Sequence, residues 1–477
     1  MRDEAIARIE AWFAAQGWSP FAFQRECWDR QRAGRSGLLH APTGHGKTLA
    51  VWLGEVLAYL RDGDGDAPRK GTEPLRVLWL TPLRALANDT AESLRRPIAD
   101  LGLPWSVEVR TGDASSSVKA RIRRNPPTAL VTTPESLSLM LSQEGTRERL
   151  SGLRLVVVDE WHELLGTKRG VQAELCLARL RRWNPDVRTW AISATLGNID
   201  EALAALLGPS GDGDLVRGDA PKDIVVETLA PEHIDRFPWA GHLGLHLLAP
   251  VLERLESARS TLLFTNTRSQ AEMWFRAILD ARPQWDESLA LHHGSLDRDL
   301  RAAHEEGLKS GRIRCVVCTS SLDLGVDFSP VDQVIQVGSP KGVARLLQRA
   351  GRSGHQPGAT SRILGVPTHA WELVEFAAAR DAARQLAVEA RPPLLKPLDV
   401  LAQHAVTIAL GEGFEPAAML DEARSTHAYA LLGDDEWEWV LEFVTKGGRA
   451  LGAYPQFRKV VEHDGRMVVE SRAIARL

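Results

Sequence analysis

Ala41-Pro42-Thr43-Gly44-His45-Gly46-Lys47-Thr48 follows the apolar run at 38–41 and opens a helical stretch. Small residues at these positions let successive N–H groups turn inward on an anion, and the helix adds its positive end. Lys47 is then placed to hold β and γ phosphates and Thr48 to ligate magnesium, with Thr43, Gly44 and Gly46 shaping the cradle. The strict motif begins with Gly where this chain has Ala41, so the loop needs support from elsewhere. That support comes from Gln348-Arg349-Ala350-Gly351-Arg352-Ser353-Gly354. Arg349 and Arg352 stand at i and i+3, on one face of an expected helix. Two arginines alone fit a solvated basic face, but the adjacent glycines permit close backbone approach. Gln348 is expected to position water, while Arg349 and Arg352 stabilise charge on a transferring phosphoryl group from a facing domain. The pair of signatures describes a two-domain motor.

Working outward, strands are expected at 38–41, 75–81, 105–110, 128–132, 153–159 and 187–193, separated by helical stretches. Near-continuous apolar strands alternating with helices imply a parallel sheet covered on both faces. The alternation resumes at 223–229, 261–266, 288–292, 312–319, 331–337 and 361–366, which implies a second α/β domain without its own phosphate loop. Residues 63–68 read as a solvated insertion and 208–213 as a linker. Beyond Pro392-Pro393 the pattern changes to helices near 398–410, 416–424 and 435–445, followed by Asp464-Gly465 between alternating β-formers, a strong hairpin signal. Three helices and a hairpin suggest a winged helix, or a helical bundle with an incidental hairpin. The expected domains are 1–212, 213–391 and 392–477. No helix stop precedes Leu477, so a piece of something longer is expected.

The chain has 477 residues, 44% of them hydrophobic, enough for about three domains. Its 58 Lys and Arg against 62 Asp and Glu, net −4, exclude a globally basic nucleic-acid binder; a polyanion path has to be a local groove. No apolar run approaches the ~18 residues of a membrane span, and no secretory signal opens the chain, so a cytoplasmic location is expected. Cys27 and Cys176 are isolated, and Cys315 and Cys318 fall in a β-rich run whose side chains alternate. Their sulfurs are therefore expected on opposite sheet faces, as buried cysteines and not as zinc ligands.

Asp159 and Glu160 end the run at 153–159, at the carboxyl edge of the sheet where such folds bind ligands. Asp159 is expected to hold magnesium through water, and Glu160 to orient or deprotonate the attacking water. Ser193-Ala194-Thr195 ends another strand and is expected to couple this site to the second domain through the Asp159–His162 loop. Trp437 and Trp439, two residues apart, fall on different faces of a helix, and at least one is expected in the core.

With these residues in view the chain resembles a superfamily 2 helicase core, and within it the large helicase-related (Lhr) group. It is most similar to bacterial ligase-associated DEXH-box helicases linked to DNA repair. The resemblance rests on Asp159-Glu160-Trp161-His162, Ser193-Ala194-Thr195-Leu196-Gly197-Asn198, Phe264-Thr265-Asn266-Thr267-Arg268-Ser269, Leu291-His292-His293-Gly294-Ser295-Leu296 and Thr319 to Asp327. It implies two tandem RecA-like domains and a winged helix. It also implies an ATP- and magnesium-dependent 3′-to-5′ translocase that loads on single-stranded DNA and unwinds DNA or RNA:DNA duplexes, with repair ligase or nuclease partners. An RNA-directed helicase and an ATP-gated clamp are the alternatives. Gln24 matches an adenine-reading glutamine, and Gly325 and Asp327 match nucleotide-side positions of the second domain. The strand contacts carried over are Thr81, Pro82, Arg84, Thr111, Gly112, Thr133, Pro134, Glu135, Thr265, Arg268, His293, Gly294 and Thr319. His355 stands where many members carry a further arginine, which places the finger role on Arg352, with Arg349 second. Larger Lhr proteins continue past the winged helix.

Overall fold

A computed structural model of the chain describes residues 2–62, 74–218, 224–230, 239, 243–323, 331–354, 360–385, 387–447 and 458–470. The expected insertion at 63–68, Gly325, Asp327 and His355 lie outside the described residues.

The first sheet contains β1 (Ser36–His40), β2 (Val77–Leu80), β3 (Val107–Arg110), β4 (Ala129–Thr132), β5 (Leu155–Val158), β6 (Arg188–Ser193) and β7 (Gly213–Arg217). Its order is β3-β4-β2-β5-β6-β1-β7, with every pairing parallel. The second contains β8 (Ile224–Thr228), β9 (Thr261–Phe264), β10 (Leu289–His292), β11 (Cys315–Cys318), β12 (Gln333–Val337) and β13 (Ser361–Val366), in the order β10-β11-β9-β12-β13-β8, again parallel. Counted from its own first strand, the second sheet repeats the order of the first. The twelve expected strands are all present. Central strands such as β5 are buried at every residue because helices cover both sheet faces. The sulfurs of Cys315 and Cys318 enter the separate cores on the two faces of the second sheet, and all four cysteines are free and buried.

The strand β7 corrects the boundary placed between 212 and 213. Gly208, at φ 80°, ends helix Ile199–Leu207, and the chain returns to pair β7 with β1. Residues 213–217 therefore belong to the first sheet.

The third unit has helices Leu398–Ala409, Pro416–Arg424 and Asp434–Lys446, then β14 (Val461–His463) and β15 (Arg466–Val468) joined through Asp464 and Gly465, both at positive φ. Phe414 and Met467 exchange backbone hydrogen bonds of 3.1 and 2.7 Å. This gives the hairpin a third short partner, so the unit is a winged helix and not a bundle with an incidental hairpin. Trp437 is buried in its core and Trp439 is exposed. That core also takes in Val171 and Leu175 of helix Lys168–Trp183, so the winged helix is seated on the first domain. A buried pair, Arg179 to Glu422 at 2.8 Å, and the Ala428 N–H donated to Glu174 at 2.9 Å, tie the same faces. No helix among the described residues is long and apolar enough to cross a membrane.

Candidate active site

The phosphate loop leaves β1 with the Ala41 N–H donating to Ser193 O at 3.1 Å. Gly44 and Gly46 take φ of 82° and 70°, and helix Lys47–Asp62 follows. Ala41 is buried and is not among the positive-φ residues, so nothing in its conformation requires glycine. Gln24 braces the loop from below: its Oε1 accepts from Phe21 N at 2.8 Å and its Nε2 donates to Gly46 O at 3.0 Å. Both ends of its amide are thus engaged by the protein. Phe21 stacks on Phe23, with centroids 5.5 Å apart, and leans on His45.

Lys47 is buried and donates to Pro42 O at 3.0 Å. Burial lowers its pKa, Glu160 and Asp159 oppose that, and Arg352 of the second domain lowers it further. The ammonium therefore lies within the field of two carboxylates and of a guanidinium across the cleft. Asp159 follows β5 and accepts from Trp79 Nε1 at 3.1 Å and from Glu160 N at 2.9 Å. Burial first, and Glu160 second, push its carboxyl up to about 7. Glu160 is left-handed at φ 46°, a strained conformation for a side chain that is not glycine. Its Oε2 is buried, makes no hydrogen bond and lies 3.5 Å from His162 Nδ1. An orphaned carboxylate oxygen, a buried lysine and a carboxyl held near neutrality fit a magnesium-bound triphosphate. Thr48 and Asp159 would hold the ion, whose charge would neutralise the phosphates. The described residues contain no group of three His, Cys, Asp or Glu that could hold a metal ion.

His162 links the two domains. Its Nε2 lies 2.6 Å from Gln348 Nε2, and its Nδ1 lies 3.1 Å from Ser193 Oγ. Gln348 Nε2 also reaches Glu163 Oε1 at 3.3 Å and Thr195 Oγ1 at 3.4 Å. An amide nitrogen only donates, so His162 Nε2 accepts and Nδ1–H donates to Ser193. Burial pushes the imidazole down to about 3, which keeps it neutral as that arrangement requires. Ser193 thus contacts the loop after β5, and Thr195 contacts Gln348 of the second domain. Gln348 does not sit free to position water: its amide is engaged across the domain boundary.

The two arginines do not share a helix face. Helix Val343–Ala350 ends at Gly351, before Arg352. Arg349 turns inward to a bidentate pair with Asp323 at 2.7 and 3.1 Å, reaches Gln336, and lies over the Phe264 ring at 4.6 Å. This buried ion pair inside the second domain removes Arg349 from the finger role. Arg352 donates to Asp323 O at 2.9 Å, and Gly351 packs against Thr43 of the phosphate loop. Asp323 thus supports both arginines, a role its sequence position did not reveal.

Sequence reasoning also missed a strap at 388–392. Arg391 N donates to Asn198 Oδ1 at 2.8 Å, Asn198 Nδ2 donates to Arg391 O at 3.1 Å, and the Arg391 guanidinium donates to His162 O. Glu389 accepts from Val343 N and, at 3.0 Å, from Ala344 N, where helix Val343–Ala350 begins. Asn198 lies in a motif visible in the sequence; no comparable signal marks Arg391.

The candidate strand contacts follow β2, β3 and β4 in the first sheet and β9, β10 and β11 in the second. These are the same three neighbouring strands in the repeated order, whereas Lys47, Asp159 and Ser193 belong to the β5-β6-β1 half. Thr81 Oγ1 donates to Leu83 O and Thr132 O at 3.2 and 3.4 Å; Thr265 Oγ1 donates to Thr267 O and Cys318 O at 3.1 and 3.3 Å. These buried threonines fix equivalent turns. Pro82, Thr111, Thr133 and Pro134 are buried, and Thr319 is half-buried. Arg84 is exposed and lies against Gly112, 2.6 Å from Asp113, and Arg268 is exposed, 2.9 Å from Ser295 Oγ. Glu135 pairs with Arg169, Gly294 faces open space, and His293 is buried with neither ring nitrogen hydrogen-bonded.

Residues 21–202 match the family model described as DEAD/DEAH box helicase, 245–356 the helicase conserved C-terminal domain, and 381–477 the large helicase-related protein winged helix domain. The chain is 33% identical to the ATP-dependent helicase Lhr-Core protein 2 of Thermococcus barophilus over 93% of its own length and 53% of that protein's. It is 32% identical to the Lhr helicase/probable uracil glycosylase of Mycolicibacterium smegmatis over 95% of its own length and 32% of that protein's. It therefore spans about half the length, or less, of these curated relatives. Among solved structures, that of Mycobacterium smegmatis helicase Lhr bound to ssDNA and AMP-PNP superposes with a TM-score of 0.84 at 32% identity, covering 99% of this chain and 60% of that one. A helicase at 22% identity, MrfA bound to DNA, shares the fold with a TM-score of 0.76, covering 98% of this chain and 63% of that one. Two parallel-sheet domains facing one another across a phosphate loop, with a winged helix on the first and three family models in that order, place the chain in the large helicase-related group of superfamily 2 helicases.

Proposed function

We propose that the chain is an ATP-driven motor that loads on single-stranded DNA, moves 3′ to 5′ and unwinds DNA or RNA:DNA duplexes, in DNA repair alongside a ligase or nuclease. The observation that carries this reading is the meeting of the two domains at the phosphate loop, where Gly351, next to Arg352, packs against Thr43 and Gln348 reaches His162. Lys47 holds the β and γ phosphates. Glu160 takes the proton of the attacking water as its oxygen bonds to the γ-phosphorus and the bond to the β-bridging oxygen breaks. Arg352 meets the charge that develops, so turnover depends on closure of the cleft. The mycobacterial Lhr structure bound to ssDNA and AMP-PNP supports the choice of ligands. By resemblance we assign Gln24, which also braces the phosphate loop, to the adenine, and Gly325 and Asp327 to the nucleotide side of the second domain. The strand lies along Arg84, Gly112, Arg268 and Gly294, whose neighbours hold phosphates without reading bases.

The test is steady-state ATP hydrolysis with magnesium, with and without single-stranded DNA or RNA of matched length, beside Glu160→Gln. Stimulation by DNA that Glu160→Gln abolishes supports the motor; a rate indifferent to nucleic acid, or unchanged in Glu160→Gln, refutes it.

A further inference from the structure

A second concentration of positive charge lies away from the cleft, on the flank of the first domain. Arg110 ends the edge strand β3, is 6% exposed, and its Nε has no hydrogen-bond partner. It lines a cavity with Arg123, from the last turn of helix Ser116–Arg124, and Arg149. Arg149 donates to Glu144 O at 3.0 Å and Thr146 Oγ1 at 2.6 Å, both neutral acceptors. Arg123 and Arg149 also line the groove outside, with Glu144 beside them and with Leu410, Gly411 and Glu412 of the winged helix as its opposite wall, so two carboxylates border the groove while Arg110 within keeps no acidic partner among the described residues.

Gathering these guanidiniums is unfavourable as it stands. Burial, then Arg149 and Arg123, lower the pKa of Arg110; burial and Arg123 lower that of Arg149, with only Glu148 opposing. Arg110 is the buried member, with Arg149 half-buried and Arg123 exposed; a buried cation without a partner is unfavourable, and a counter-charge relieves it. Guanidinium forks match the oxygens of phosphate, and the cavity of about 20 Å³ has room for little more than one oxygen-sized group.

We propose that Arg110, Arg123 and Arg149 form a binding site for a phosphate-type oxyanion between the first domain and the winged helix. One oxygen enters the cavity toward Arg110, and the rest of the group lies in the groove between Arg123 and Arg149. The phosphate comes from a nucleic-acid backbone or from free phosphate. Arg110 immediately precedes Thr111, so occupancy here is linked by one peptide bond to a candidate strand contact.

The experiment uses the full chain carrying Lys47→Ala, so that inorganic phosphate does not report on the phosphate loop. Thermal unfolding is followed with and without inorganic phosphate, for this chain and for versions that add Arg123→Gln or Arg149→Gln; both side chains lie at the cavity mouth, where substitution spares the core. Phosphate should raise the melting temperature of the parent, and either added substitution should weaken its affinity about tenfold or more. Without phosphate, Arg123→Gln should melt no lower than the parent, because repulsion is relieved. An equal phosphate shift in all three chains, or an equal loss of stability in both buffers, overturns the proposal. Titration of a short single-stranded oligodeoxynucleotide against salt separates the sources. A slope reduced by about one charge in Arg123→Gln identifies the nucleic-acid backbone, and an unchanged slope with a lost phosphate shift identifies free phosphate.

Discussion

Gln348 Nε2 lies 2.6 Å from His162 Nε2, joining helix Val343–Ala350 of the second domain to the loop after β5 of the first. Because that imidazole stays neutral down to about pH 3, the contact should survive acidification that titrates an ordinary histidine. Gln348→Ala and His162→Ala should each slow nucleic-acid-stimulated ATP hydrolysis while nucleotide still binds. In a double-mutant cycle on turnover their effects should fail to add, with a coupling of about 1 kcal/mol or more. Additive effects would show that the two side chains act separately.

Arg349 and Arg352 should fail in different ways. Arg349→Ala leaves the buried Asp323 carboxylate with only its longer contact to Arg345, 3.4 Å, and should cost about 3 kcal/mol of stability, read by denaturant unfolding. Arg352→Ala should leave the unfolding midpoint near that of the parent and lower turnover about 10³-fold. A stable Arg349→Ala chain with that catalytic loss would reverse the assignment.

Glu174 makes the seating of the winged helix sensitive to pH. Burial raises its carboxyl from 4.5 to about 8 while it accepts from Ala428 N. The folded chain therefore holds this proton more tightly than the unfolded one. Its contribution to stability is complete below about pH 4.5 and is lost as pH rises through 8. Glu174→Gln, which keeps the acceptor oxygen, should flatten that decline and raise the melting temperature above about pH 8. Parallel pH profiles for the two chains would contradict this.

Arg391 is a positioning residue by its contacts with His162 O and Asn198. Arg391→Ala should lower kcat several-fold with little change in the KM for ATP, since the phosphate loop is untouched. An effect confined to KM would remove it from the coupling path.

Much of this was legible in the chain. The runs that became β2 and β5 are apolar throughout, and β9 is so after Thr261, because both sheet faces are covered, and that density survives without any partner in view. The strand β7 escaped because it is an edge strand with only Val216 buried and a glycine at its start. The i, i+3 reading of Arg349 and Arg352 assumed a helix that ends between them, at Ala350. Lys47, Asp159 and Glu160 were legible because local backbone geometry positions them; the partners of Gln348, Asp323 and Arg391 depend on how distant segments pack, which periodicity does not encode.

The matching hydroxyl anchors of Thr81 and Thr265 bear on how a stride would be produced. Each ties the turn at the carboxyl end of a central strand to the backbone of the strand beside it, so neither turn can slide independently of its sheet. A strand gripped at both turns would then feel only the relative displacement of two stiff plates. On the motor proposed above, the distance covered per cycle would be an angle multiplied by a lever arm, set by how far the cleft swings.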